Sequence, residues 1–130
     1  MIAIIDYKAG NIRSVENALK RFGAEYVLTA DPEMIRRADH VILPGVGEAS
    51  SAMKALESTG LAPVIKSLTQ PVLGICIGMQ LMCASSEEGD TECLGIFTPK
   101  VTRFPETSGV KIPHTGWDTI SGLRGPLFRN

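Results

Sequence analysis

Residue types that carry much of enzyme and metal chemistry are scarce in this chain of 130 residues, which has two histidines, three cysteines and one tryptophan. No two cysteines form a C-x-x-C pair, which excludes the ligand spacing of zinc ribbons and zinc fingers. The odd number of cysteines argues against a disulfide framework and predicts free thiols in a reducing compartment. We therefore expect no metal, no cofactor and a cytoplasmic location.

An excess of charge of either sign is also lacking. Thirteen basic residues face fourteen acidic ones, so the net charge is -1, and neither nucleic acid nor an anionic membrane is expected as a partner. No apolar run is long enough to cross a bilayer, and the first residues lack the basic start of a signal peptide. Hydrophobic residues make up 44%, which is ordinary for a soluble globular chain.

Short apolar runs alternate with helical patterns through the first two thirds of the chain. The runs predict strands at 1–6, 25–29, 40–44 and 71–75, with helices after each, the last over 79–84. Beyond residue 84 we expect an acidic loop over 85–92 and extended segments over 96–104 and up to 120. This order predicts one domain, residues 1–130, with a three-layer α/β fold whose mostly parallel sheet has helices on both faces.

The chain is organised around the stretch 71–80, in which an apolar strand breaks into a helix at a cysteine. The spacing Gly74-x-Cys76-x-Gly78 has the form of a nucleophile elbow (residues 74–78), in which the glycines leave room for a tight turn. A thiol at a helix N-terminus is favoured as thiolate. The free N–H of Ile77 would face a developing oxyanion. The alternative is a small core cysteine.

A second glycine-rich segment, Gly45-Val46-Gly47 (the glycine turn), follows the third predicted strand. In a parallel sheet the loops after residues 6, 44 and 75 share one rim, so this turn is expected beside the elbow. It could supply a second oxyanion donor, cradle a phosphate group or be a plain tight turn. No lysine follows in the register of a P-loop.

Four motifs together resemble a known enzyme family. In chain order they are Asp6-Tyr7 with Gly10-Asn11, Leu43-Pro44-Gly45-Val46-Gly47, Gly74-Ile75-Cys76-Ile77-Gly78-Met79-Gln80-Leu81 and Pro113-His114-Thr115-Gly116-Trp117. They resemble the class I glutamine amidotransferases, specifically the glutaminase subunit of imidazole glycerol phosphate synthase. The resemblance covers the whole chain and implies a flavodoxin-like sheet.

The resemblance implies that glutamine is hydrolysed to glutamate and ammonia, and that the ammonia passes to a cyclase or synthase partner in a heterodimer of histidine biosynthesis. Cys76 would be the nucleophile that forms a glutamyl thioester. Ile77 and the backbone of Val46 and Gly47 would form the oxyanion hole.

Further residues match positions that bind substrate or partner in that family. Gln80 and Glu88 would hold glutamine, although each could equally be an exposed polar residue. Asn11, His114 and Trp117 are expected at the interface with the synthase. For Trp117 the alternative is a core anchor, and Asn11 is also predicted to cap the first helix.

A general base is missing from the pattern, because the family supplies it from a His-Pro-Glu motif that this sequence lacks. His40 would lie a whole strand from the rim, and His114 is followed by Thr115 and Gly116 and not by a carboxylate two residues on. We therefore expect an N-terminal part of the enzyme that turns over glutamine poorly alone and exposes apolar sheet surface.

Two other function classes remain open from the residues alone. One is a non-catalytic or redox-sensing protein with a cysteine elbow on a similar fold, which would form a stable sulfenic acid. The other is a small phosphate- or nucleotide-binding domain that uses the glycine turn.

Overall fold

The computed structural model describes residues 1–109, 111–125 and 128. Its main sheet has four parallel strands, β1 (Ile2–Ile5), β2 (Tyr26–Thr29), β3 (His40–Leu43) and β4 (Val72–Gly74), in the order β2-β1-β3-β4. This is the order of the first four strands of a flavodoxin-like sheet. The predicted α/β class and parallel sheet are therefore confirmed.

Five α-helices connect and follow these strands: α1 (Ile12–Arg21), α2 (Pro32–Arg37), α3 (Ala49–Ser58), α4 (Ala62–Lys66) and α5 (Ile77–Met82). The first begins where it was predicted, because the Asn11 Oδ1 atom accepts a hydrogen bond from the Ser14 N–H at 3.4 Å. It is followed by Gly23, whose φ of +65° suits the end of a helix. None of the described helices is long and apolar enough to span a bilayer.

Alternation along the strands sends side chains to two separate cores. The larger core joins Ile5 and Leu43 to buried residues of α2, α3, α4 and α5. The smaller core joins Ile4 and Ile42 to Leu19 of α1. Helices therefore pack on both faces of the sheet, as the predicted three-layer arrangement requires.

A second, small sheet follows the first, with β5 (Ser85–Ser86) between β6 (Thr91–Glu92) and β7 (Lys100–Val101). Two predictions are wrong here. The acidic segment forms an antiparallel hairpin of β5 and β6 and not a plain loop, and the extended stretch 96–104 pairs at β7 alone. The predicted bounds of the elbow helix, 79–84, are also wrong: the helix spans Ile77–Met82, because the strand breaks directly after Gly74.

Candidate active site at the carboxyl edge of the sheet

Three loops meet where β1, β3 and β4 end. Leu43 pairs with Gly74, and Ile4 pairs with Ile42, so the three strands finish at the same edge. The loops that follow them carry Tyr7, the glycine turn and the elbow. The shared rim that the parallel order predicted is confirmed.

Cys76 sits on a sharp turn between β4 and α5. Its φ of 55° and ψ of -116° are those of the first central position of a type II′ turn, where glycine is the usual residue. The Gly78 N–H closes this turn by donating to the Ile75 carbonyl at 3.0 Å. A cysteine in this conformation is strained by about 1–3 kcal/mol. The turn directs the side chain away from the core, and Cys76 is exposed.

The glycine turn and the elbow are in backbone contact. A Cβ atom on Gly78 would lie 1.9 Å from the Leu43 carbonyl oxygen, and one on Gly45 would lie 2.4 Å from the Gly78 nitrogen. Real Cβ atoms do not approach so closely, so both positions require glycine. The structure therefore brings the turn beside Cys76, as predicted.

The glycine turn and the elbow both carry backbone N–H groups without a partner among the described residues. In the described part of the chain the Ile77 N–H has no hydrogen-bond partner, and the same holds for the Val46 and Gly47 N–H groups. Val46 and Gly47 are also exposed, and Gly47 has a φ of +89° that favours glycine. Free N–H donors are the kind of group that stabilises a negative oxygen formed next to a nucleophile.

Tyr7 contacts the residue that precedes the glycine turn, and no role was predicted for it from the sequence. Its side chain is fully buried, and its hydroxyl donates to the Pro44 carbonyl at 2.7 Å. Burial, and to a lesser extent the charge of Cys76, raises the pKa of Tyr7 to about 12. Its position directly after β1, on the predicted rim, was the signal that could have found it.

A cavity of about 350 Å³ lies one helical turn beyond the thiol. Its lining includes Gln80, Glu87, Glu88 and Arg103, and the Gln80 N–H donates to the Cys76 carbonyl at 3.2 Å. The Glu88 Oε2 atom accepts a hydrogen bond from the Ala49 N–H at 2.9 Å. The structure thus brings the two predicted substrate-binding residues to one cavity that carries charges of both signs.

Comparison with known proteins is decisive for the family. The sequence profile described as glutamine amidotransferase class-I matches residues 3–125. This chain is a class I glutamine amidotransferase. A crystal structure of a glutamine amidotransferase superimposes with a TM-score of 0.65 at 23% identity, over 78% of this chain and 56% of that one, which supports the fold alone.

Within this family, the chain is most informatively compared with curated relatives of high sequence identity. The imidazole glycerol phosphate synthase subunit HisH of Bacteroides fragilis strain YCH46 is 57% identical over 129 residues, 98% of this chain and 66% of that protein. The subunit of the same name from Idiomarina loihiensis is 47% identical over 119 residues, 92% of this chain and 60% of the relative. The amidotransferase chain described here therefore spans about two thirds of the length of its relatives.

The remaining predicted residues of this amidotransferase lie away from the elbow or on exposed segments. His40 is the first residue of β3 and lies at the amino ends of the strands, whereas Cys76 lies at their carboxyl ends. The His114 Nε2 atom is 3.5 Å from an Asp118 oxygen, and both side chains are exposed. Trp117 is fully exposed in the described part of the chain. The alternative that it anchors the core is therefore wrong. Asn11 is exposed and caps α1.

The other two cysteines of this amidotransferase differ from Cys76 in exposure. Cys83 is half-buried at the end of α5, and Cys93 is buried in the larger core. Burial, followed by the charge of Cys83, raises the pKa of the Cys93 thiol. A buried thiol of raised pKa is a poor nucleophile, so exposure singles out Cys76.

Proposed function

We propose that this chain is the glutamine-hydrolysing part of an imidazole glycerol phosphate synthase of histidine biosynthesis. The observation that carries the proposal is the exposed Cys76 on a strained elbow against the glycine turn, in a chain that is 57% identical to the HisH subunit of Bacteroides fragilis strain YCH46. The cysteine nucleophile, the turn and the family all agree with this one chemistry.

The reaction has two steps at one sulfur atom. A base takes the Cys76 thiol proton, the sulfur attacks the side-chain amide carbon of glutamine, the C–N bond breaks, and the base passes the proton to the departing ammonia. Water then hydrolyses the glutamyl thioester, which gives glutamate and restores the thiol. Both steps pass through an oxyanion, which the N–H groups of Ile77 and of Val46 or Gly47 would stabilise.

Substrate recognition falls to the cavity beside Gln80. The α-amino group and α-carboxylate of glutamine carry opposite charges, and Glu88 and Arg103 in the lining match them. With those groups in the cavity, the side-chain amide would extend along the first turn of α5 toward Cys76. Gln80 and Glu88 are therefore proposed to bind substrate.

The general base is proposed to come from outside residues 1–130. His40 is at the wrong end of β3, and about a third of the relatives' length has no counterpart here. We infer that residues 1–130 form one domain that presents the nucleophile, and that a histidine and a glutamate of the remaining third complete the site.

The partner is proposed to be the cyclase subunit of the synthase, in a heterodimer that receives the ammonia. Trp117 and His114 are exposed and available for such an interface, and Asn11 lies on the loop side of α1. The cytoplasm is the proposed compartment, since all three cysteines are free.

Alkylation by a chloroketone analogue of glutamine tests this function. The thiolate displaces chloride, and we expect saturable labelling of Cys76 by mass spectrometry that free glutamine protects against. Cys76→Ser should abolish the labelling, while the matched variant Cys83→Ser should label normally. Equal labelling of Cys83 or Cys93 would sink the assignment. Absent labelling together with a stable sulfenic acid at Cys76 would favour the redox-sensing alternative.

A further inference from the structure

The glycine turn is fixed at both of its ends by side chains from other parts of the chain. Before the turn, the Pro44 carbonyl accepts a hydrogen bond from the Tyr7 hydroxyl at 2.7 Å. After it, the Ala49 N–H donates to Glu88 Oε2 at 2.9 Å. Tyr7 comes from the loop after β1 and Glu88 from the hairpin of β5 and β6, so two distant segments converge on one short turn.

The Tyr7 contact controls the orientation of a peptide plane. Because a peptide unit is planar, fixing the Pro44 carbonyl also fixes the direction of the Gly45 N–H. Tyr7 is fully buried in the larger core and cannot easily swing away. Its pKa lies far above physiological pH, so the hydroxyl stays protonated and remains a donor.

The Glu88 contact replaces a missing helix cap. Glu48 occupies the N-cap position of α3, but its side chain makes no capping hydrogen bond. Glu88 instead reaches the first N–H group of the helix from across the rim. A carboxylate at this position is favoured both by the free N–H and by the helix dipole, so it fixes where the turn enters α3.

We propose that Tyr7 and Glu88 are positioning residues that together hold the glycine turn against the elbow. This inference rests on the proposed glutaminase function. Tyr7 and the Ala49 contact of Glu88 act through the turn, and their loss displaces the second oxyanion donor relative to Cys76. The predicted consequence of losing either contact is slower chemistry at the sulfur. Affinity for the glutamine-like ligand should stay unchanged without the Tyr7 contact, and it should fall when the charge of Glu88 is lost, because Glu88 is also proposed to bind substrate.

The test separates rate from affinity for the chloroketone analogue of glutamine on this chain. For Tyr7→Phe we expect the saturated labelling rate of Cys76 to fall roughly five- to tenfold, which is the effect of losing one hydrogen bond. The analogue concentration that gives half of this rate should stay within about twofold of the wild-type value. The matched control is Tyr26→Phe, because the Tyr26 hydroxyl bonds to Glu16 on the other face of the sheet. It should leave both constants unchanged.

Two Glu88 variants separate the Ala49 contact from substrate binding. Glu88→Gln keeps an oxygen that can accept from the Ala49 N–H but loses the negative charge, so it should weaken half-saturation and preserve the saturated rate. Glu88→Ala removes the acceptor and should lower the saturated rate as well. Equal saturated rates in these two variants would overturn the role assigned to Glu88.

Chloroacetamide, which lacks the amino-acid groups, serves as the reference reagent. If Tyr7→Phe slows both reagents equally, or slows neither, the positioning role is wrong. If the wild-type chain reacts with chloroacetamide but never saturably with the analogue, the proposed function fails instead. Tyr7 is then still tested by the amide chemical shift of Gly45, which should move in Tyr7→Phe and stay in place in Tyr26→Phe. An unmoved Gly45 signal overturns the inference.

Discussion

One face of the parallel sheet packs against α2, α3, α4 and α5, whereas of the described helices α1 alone packs against the other. On the first, covered face Ile5, Leu43 and Tyr7 are fully buried. On the second, open face Leu73 is 44% exposed and borders an apolar groove of about 600 Å³ beside Leu19 and Ile42. The expectation of uncovered apolar sheet surface agrees with this groove.

The difference between the faces teaches where the candidate site obtains its rigidity. Tyr7, the residues under the elbow and the buried side of α5 all belong to the covered face. Close packing there fixes side chains in single rotamers, whereas a groove leaves room to shift. The elbow that carries Cys76 and its support Tyr7 are therefore built on the tightly packed side.

The largest expected contrast is between two leucines on neighbouring strands. Leu43 is fully buried on the covered face, and Leu73 is 44% exposed on the open face. Leu43→Ala should lower the free energy of unfolding by about 3 kcal/mol, through lost burial and a new cavity. Leu73→Ala should lower it by less than about 1 kcal/mol.

Urea denaturation of both variants under the same conditions measures this contrast. Each midpoint is compared with that of the wild-type chain at a common slope. A Leu73→Ala loss as large as that of Leu43→Ala would contradict the comparison of the faces, because the groove would then be as tightly packed as the core.

The covered and open faces also show what the sequence could predict. Strands β1 to β4 and helices α1 to α4 follow apolar periodicity, caps and glycine stops, which are local signals. The shared rim follows from the parallel order. The Tyr7 hydroxyl bond to Pro44 spans 37 positions of sequence, and no local pattern encodes which backbone carbonyl a buried tyrosine will reach.

The short second sheet was missed for a different reason. Strands β5 and β6 have two residues each and consist of serine, threonine and glutamate, which composition assigns to a loop. Their pairing comes from the contact of this hairpin with α3 and α5 and not from strand propensity. The stretch after residue 95 was predicted too long because pairing stops where β5 stops.

A pH effect of intermediate size belongs to the covered face. The unfolded chain loses the Tyr7 proton near its ordinary value of 10.0, and the folded protein keeps it to about 12. Between these values the folded state binds more protons, so stability falls as pH rises, by about 1.4 kcal/mol at pH 11. Tyr7→Phe should remove most of this fall.

The stability of the wild-type chain and of Tyr7→Phe can be measured by thermal or urea unfolding between pH 8 and pH 11. Tyr26→Phe on the open face is the control, and it should retain the alkaline loss because Tyr7 is intact. An equally large fall in stability at high pH in Tyr7→Phe would show that another group causes it. It would also contradict the claim that burial on the covered face raises the pKa of Tyr7.

The smallest expected contrast concerns the caps of one helix on each face. Asp31 caps α2 on the covered face with a hydrogen bond of 2.8 Å to the Glu33 N–H, and Asn11 caps α1 on the open face at 3.4 Å. Asp31→Ala should cost about 1 kcal/mol, and Asn11→Ala about 0.5 kcal/mol, because the longer bond is weaker. Both losses in stability are measured from the midpoints of urea denaturation. A larger loss for Asn11→Ala would reverse the ranking, since it would mean that the open face depends on α1 more than the covered face depends on α2.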